Sequence, residues 1–273
     1  MKTFVITGGT DGIGRAVGLA CLESGHNVAI IGRNADKGAG FLDAAGRLGA
    51  ADRARFVRAD LSLMDETRQA IQELRTHFPK VDALILCARH FRTTRLVTAE
   101  GLENTFAHFY LSRFVMSYEM TDLLDAADEP VILNVAGPGP NPEEIRWDDL
   151  GRERDYDGEG ALMQGGLLND LLGTGYARIR PSRKVRYVLY NPGSTATALS
   201  GEYDPHVAAQ IEAMRRTAQP VEKAIVPILD LLNNPPAEPL TASIMGRPIP
   251  MDGPGFDPKA AQRLYDRTRE LIA

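Results

Sequence analysis

A parallel, doubly wound α/β sheet with helices on both faces is the fold that this 273-residue sequence predicts. Three observations carry it. Short runs rich in Val, Ile and Leu recur along the chain, longer helix-patterned segments separate them, and a glycine-rich turn joins the first run to the first helix. Near-continuous apolar runs are what strands covered on both faces require. Regular strand–helix alternation selects a parallel sheet, and right-handed crossovers place helices on both of its faces.

The strands expected in order are TFVI (3–6), NVAII (27–31), ARFVRA (54–59), ALIL (83–86), VILNV (131–135), RYVLY (186–190) and ASIM (242–245). Between them lie helical patterns at 13–24, 36–48, 63–78, 99–126, 160–179, 205–232 and 258–272. The proline- and glycine-rich pieces GPGPNPEE (137–144) and NNPPAEPL (233–240) are short enough to be loops, so residues 1–273 read as one domain. The charged segment WDDLGRERDYDGEG (147–160) reads as a solvated loop.

Composition narrows the function. Hydrophobic content of 44% with 25% charged residues is that of a water-soluble globular protein, and a net charge of -5 gives no electrostatic reason to expect nucleic acid. Cys21 and Cys87 lie far apart without metal-ligand spacing, so no metal is expected and both read as reduced thiols. The apolar run in MKTFVITGG is too short for a signal peptide, and no window approaches the roughly 18 apolar residues of a membrane span. The expectation is a cytoplasmic protein with a small-molecule substrate and no membrane partner.

The first strand runs into TGGTDGIGRAVG (7–18). Glycines at 8, 12 and 14 permit a tight turn and close approach of backbone to a pyrophosphate, and the following helix aims its unpaired N–H groups at that anion. The spacing T-G-x-x-x-G-x-G resembles the short-chain dehydrogenase/reductase family, which has a Rossmann-like fold. Asp60-Leu61 resembles the family's acidic pair at the adenine, and YNPGSTAT (190–197) its segment around the nicotinamide carboxamide. The resemblance covers nearly the whole chain and implies cofactor contacts from Gly8, Thr10, Asp11, Gly12, Ile13, Gly14, Arg33, Asn34, Asp60, Leu61, Cys87, Ala88, Arg89, Val135, Pro192, Gly193, Thr195 and Thr197. It also implies a homodimer or homotetramer built on the helices at 99–126 and 160–179. At the end of the second strand, Gly32 leaves vacant the place of a ribose-binding carboxylate, and Arg33 supplies a fork suited to phosphate. NADP(H) is therefore favoured over NAD(H), although Asp11 places an acid in the glycine loop.

The family's Asn, Ser, Tyr and Lys catalytic set has no counterpart here. LCARH stands where the family reads N-N-A-G, Phe109 takes the asparagine position and Gly137 the serine position. About 25 residues on, the spacing of the retinol-dehydrogenase-like branch, the tyrosine and lysine positions hold Leu162 and Gly166, or Met163 and Leu167 in the shifted register. Tyr176–Arg180 is another tyrosine four residues before a base, several turns too late. His108 and Tyr110 flank Phe109, but one helical step turns a side chain by about 100° and aims them elsewhere; Thr105, Ser112 and Arg113 share the Phe109 face.

Substitute groups are sought in CARHFRTTR (87–95). Arg89, His90, Arg92 and Arg95 read either as a cationic clamp for an anionic or phenolate-bearing substrate or as a solvated loop. Tyr156 is a further candidate acid, and Asn134 reads as a structural hydrogen-bonding residue. Three functions stay open. One is an NADP(H) oxidoreductase working on an activated carbonyl, enone or quinone-like acceptor. The second is a non-redox enzyme guiding a cyclisation or dehydration, and the third a catalytically silent nucleotide- or partner-binding subunit.

Overall fold

The structure is a computed structural model that describes residues 1–139, 141, 144–179, 182–197 and 201–273. Ten strands form: β1 (Thr3–Thr7), β2 (Asn27–Gly32), β3 (Ala54–Arg58), β4 (Ala83–Leu86), β5 (Phe91–Arg92), β6 (Val131–Val135), β7 (Arg186–Asn191), β8 (Gly201–Glu202), β9 (Leu240–Ile244) and β10 (Arg247–Pro248). Eight of them make one sheet in the order β10-β9-β7-β6-β4-β1-β2-β3, parallel except for the β9–β10 hairpin. The expected doubly wound fold is present, with each predicted strand inside the sheet. β5 and β8 form a separate parallel pair.

Alternation along each strand sends successive side chains to opposite faces. Val5, Ala29, Ile31, Leu84 and Leu86 pack on one side, whereas Phe4, Ile6, Val28, Ile30 and Ile85 pack on the other. Both sets are buried, which explains the unbroken apolar runs in the sequence. The chain winds outward from β1 to β3 and then returns to place β4 beside β1. The order reverses there, opening a crevice at the carboxyl ends of β1 and β4, where ligands of such sheets bind.

Two helices differ from expectation. The pattern at 99–126 starts only at Asn104, because Gly101 adopts φ +78° and Glu103 caps the first turn, accepting from the Thr105 and Phe106 N–H groups. It then passes through a π-helical turn, Ala107–Leu111, before Ser112–Glu119 and Thr121–Asp125. The pattern at 205–232 ends at Thr217 and resumes after Pro220 as Val221–Ala224 and Val226–Asn233. A proline cannot donate to the preceding turn, so the break is local chemistry. No helix among the described residues is long and apolar enough to cross a membrane.

The Pro258–Leu271 helix lies across the helices at 104–119 and 158–179. The Tyr110 hydroxyl is 2.7 Å from Thr268 Oγ1, and the Phe114 and Tyr265 ring centroids are 5.7 Å apart. Tyr176 is buried in the same aromatic cluster, while Arg180 lies outside the described residues.

Candidate cofactor and active site

The turn after β1 shapes one end of the crevice. Gly8 sits at φ +66° and donates its N–H to the Ile31 carbonyl at 2.9 Å. A Cβ there would lie 2.8 Å from the Ala88 Cα, so only glycine lets the turn press against the end of β4. Asp11 caps the Gly12–Glu23 helix, accepting from the Gly12 N–H at 2.7 Å. The result is a cavity of about 1140 Å³ along the carboxyl ends of the strands. Every cofactor position marked in the sequence, from Gly8 to Thr197, lines it, as do His90 and Tyr156.

At one end of the cavity stand Arg33, Lys37 and Asp60. Asn34 caps the Ala35–Arg47 helix by accepting from the Lys37 N–H at 2.8 Å, which fixes Lys37 one turn beyond Arg33. The Lys37 ammonium pairs with Asp11, so the acid in the glycine loop is neutralised by a base the sequence reading passed over. Arg33 Nη1 is 3.7 Å from Asp60 Oδ2. Burial acts to raise the Asp60 pKa, but hydrogen bonds from the Ser62 N–H (2.9 Å) and hydroxyl (2.8 Å), with Arg33 beside them, hold it below the usual carboxylate range. A Cβ on Gly32 would sit 2.9 Å from the Thr10 methyl, so a carboxylate at that strand end would have to displace Thr10.

His108 also lines the cavity, which corrects the expectation that it points away. The physical reason is the π turn, whose wider ring, closed by the Ser112 N–H to the Ala107 carbonyl, advances each residue through a smaller angle than an α-helix does. His108 takes the wall near Asp60, and burial first of all pushes its pKa down to about 3, so it is neutral at physiological pH. Phe109 turns into the interior instead. Its ring lies against Gly165, where an added Cβ would be 2.7 Å from Phe109 Cδ1, and beneath the Arg113 guanidinium at 4.5 Å. Tyr110 is buried against Thr268.

Arg113 is the hub of the floor and is itself buried. It donates to Asn134 Oδ1, to the Val135 carbonyl (3.1 Å) and to the Ala88 carbonyl (2.8 Å). Asn134 Nδ2 in turn donates to Asn169 Oδ1 and the Tyr187 hydroxyl, each at 3.0 Å. Asn169 Nδ2 donates to the Phe109 and Gly165 carbonyls at 2.9 and 2.7 Å. Asn134 is therefore the structural residue expected, and the network ties β4 and β6 to two helices. Burial pulls the Arg113 pKa down to about 10, which still leaves it charged.

The remaining positions around this end divide cleanly. Leu162 and Met163 line the cavity from the Gly158–Ile179 helix, and neither carries a proton. Gly137 is exposed, and neither it nor Gly166 is part of the wall. The Cys87 thiol is pushed up to about 12 by burial, so it stays protonated. Tyr156 faces the cavity and donates to Glu103 Oε1 at 3.2 Å; burial, with Glu103 beside it, holds its pKa up near about 12. The segment at 147–160 is accordingly no simple surface loop. Asp149 and Arg152 within it are buried, and Asp157, Gly158 and Glu159 join Tyr156 on the wall.

The arginine cluster separates. Arg92 forms a bidentate pair with Glu202 across the β5–β8 ladder, and Arg95 is not on the wall, so a clamp of several arginines does not assemble. Arg89 and His90 alone of that set reach the cavity. Sequence reasoning also missed Tyr203, Val207, Ile211 and Met214, which cover the cavity from β8 and the Pro205–Thr217 helix. The last three stand at i, i+4 and i+7, an apolar stripe that periodicity alone makes visible.

Comparison with known proteins agrees with this architecture. The family model described as short chain dehydrogenase matches residues 2–140, just over half of the chain. A protein of Streptomyces sp. (strain C5), provisionally named as a daunorubicin C-13 ketoreductase, is 27% identical over 99% of this chain and 92% of its own length. Retinol dehydrogenase 14 of Mus musculus is 28% identical over 72% of this chain, which spans 62% of that protein. Among solved structures, a short-chain dehydrogenase from Burkholderia cenocepacia J2315 in complex with NADP superposes with a TM-score of 0.69 at 20% identity, covering 90% of this chain and 97% of that one. The chain belongs to the short-chain dehydrogenase family, in the branch that resembles the retinol dehydrogenases.

Proposed function

We propose that the protein is an NADP(H)-dependent oxidoreductase that acts on a small organic carbonyl, enone or quinone-like substrate without the family's usual tyrosine and lysine. The observation that carries the reading is the contrast between the two ends of one cavity. A glycine turn pressed on Ala88 and the bases Arg33 and Lys37 stand at one end, whereas Leu162 and Met163 stand at the other. The residues present fit a phosphorylated dinucleotide. The backbone around Gly8 admits no Cβ, the Gly12–Glu23 helix turns its N-terminus to the cavity, and Arg33 and Lys37 are cations on its wall that would suit a 2′-phosphate. When bound, that group supplies or accepts a hydride.

The protein's own share is to bind, orient and exclude water. Arg113 fixes the Ala88 and Val135 carbonyls and so holds the floor rigid. The Tyr156 hydroxyl is a protonated group on the cavity wall, and the aprotic wall at Leu162 and Met163 favours acceptors activated enough to take their proton from solvent. Kinship with a protein named for ketone reduction supports the same class.

The test is NADPH and NADH titration followed by assay with a quinone such as phenanthrenequinone. Consumption of NADPH with tighter binding than NADH is the expected result. Binding without consumption favours the non-redox enzyme or the silent subunit, and no binding of either sinks the reading. Replacing Arg33 and Lys37 together by methionine is expected to weaken NADPH binding about a hundredfold or more and NADH binding little, since each lost charge-assisted contact costs about 1.5–3 kcal/mol. Equal losses for both dinucleotides would remove the assignment of the 2′-phosphate to these bases.

A further inference from the structure

The substrate half of the cavity is mostly apolar. Val207, Ile211 and Met214 line it from one helix and Leu162 and Met163 from another. Phe91 and Tyr203, with ring centroids 5.7 Å apart, close it where β5 meets β8. Such a chamber suits a flat apolar molecule.

One charge is delivered into it without a partner. Arg89 lines the cavity and is open to it, and its guanidinium makes no hydrogen bond or ion pair among the described residues. Arg89 stands near Tyr203, which lines the cavity beside Phe91, and near Arg113 of the floor. The carboxylates along the cavity are engaged elsewhere or peripheral. Asp157 is 3.2 Å from Arg152 and accepts from the Gly160 N–H, Asp204 caps the Pro205–Thr217 helix, and Glu159 is exposed. Asp60 serves Arg33 and Ser62. Desolvation by the surrounding protein lowers the Arg89 pKa.

We infer that Arg89 recognises an anionic group, a carboxylate or a phenolate, carried by a flat apolar substrate seated between the two helices. A guanidinium is suited to that task because its planar fork meets a carboxylate with two parallel hydrogen bonds. The inference deepens the oxidoreductase reading of the cavity and rests on it. It does not require the other arginines of the loop, since Glu202 already neutralises Arg92.

The probes are naphthoate and naphthamide, the same ring with and without the charge, titrated by calorimetry into NADP⁺-saturated and into cofactor-free protein. The native protein is expected to bind naphthoate about tenfold tighter or more, as a charge-assisted hydrogen bond predicts. Arg89→Met is expected to abolish the preference and Arg89→Lys to retain part of it. Because Arg89 has no partner among the described residues, the melting temperature of both variants should match the native protein. The inference is overturned if native protein shows no preference, or if the preference survives in Arg89→Met. Tenfold weaker NADP⁺ binding in that variant with the preference intact assigns the guanidinium to a cofactor phosphate and likewise overturns it. Failure of native protein to bind NADP⁺ or NADPH defeats the cofactor reading separately, and the ratio in cofactor-free protein still decides the anion site.

Discussion

The double substitution Leu162→Tyr, Gly166→Lys is expected to raise NADPH-dependent reduction of an unactivated ketone such as cyclohexanone by about a hundredfold or more, the usual yield of a positioned general acid. Leu162 already lines the cavity, so a phenol there would meet the reacting oxygen. Gly166 follows one helical turn later on the same face, and the atom nearest to an added Cβ is Asn141 Nδ2 at 3.5 Å, an ordinary contact. Helix propensity does not oppose the change, because lysine is better than glycine in a helix interior by about 0.5–1 kcal/mol. The shifted pair, Met163→Tyr with Leu167→Lys, should fail. Leu167 is only 4% exposed, so its replacement would drive an ammonium group into the core. Steady-state rates for both doubles and for Leu162→Tyr alone decide the matter. Gain from the shifted pair, or from neither, would show that the helix is not in the register proposed.

Asp170→Asn is expected to stabilise the protein by about 2–4 kcal/mol near pH 8 and by little near pH 4. Asp170 is 1% exposed on the Gly158–Ile179 helix. One oxygen accepts a long 3.4 Å bond from the Gly139 N–H, and the other has no partner among the described residues. Burial raises its pKa from 3.8 to about 7. A carboxyl raised in the folded state binds its proton more tightly there than in the unfolded chain. Its penalty is therefore absent below the unfolded value, grows as pH rises between the two, and is complete above the folded value. Urea unfolding of both proteins across this range measures the effect. Parallel stability profiles would mean that Asp170 is not the titrating group. Pro254–Phe256 packs over this residue, with an ideal Cβ on Gly255 falling 2.7 Å from Asp170 Cβ, so water has little access to relieve the charge.

Much of the fold was legible because its causes are local. Each strand core announced itself through residues buried on both faces, and the glycine turn through a backbone conformation that a side chain would obstruct. Counting from the landmarks puts the tyrosine and lysine positions at Leu162 and Gly166 or at Met163 and Leu167, and of these Leu162 and Met163 line the wall. The boundary errors were local too, since Gly101, Pro220 and the Glu103 cap were in plain view. His108 was hidden for a different reason. No composition rule foretells a π turn at Ala107–Leu111, and that turn decides which of two adjacent rings meets the cavity. The lid stripe was legible as a pattern but not as a destination.

Residue order alone set the succession of strands and helices, the glycine turn at Gly8–Gly14, the base at Arg33 and the absence of a tyrosine–lysine pair on the Gly158–Ile179 helix. Those features depend on backbone sterics and side-chain identity within a few residues. Only the tertiary structure decided how the charges pair. Lys37 reaches Asp11 over 26 positions and Arg92 reaches Glu202 over 110, whereas Arg89 is left facing the cavity. An ion pair is set by distance and solvent exposure, and neither quantity exists until the sheet has brought distant segments together.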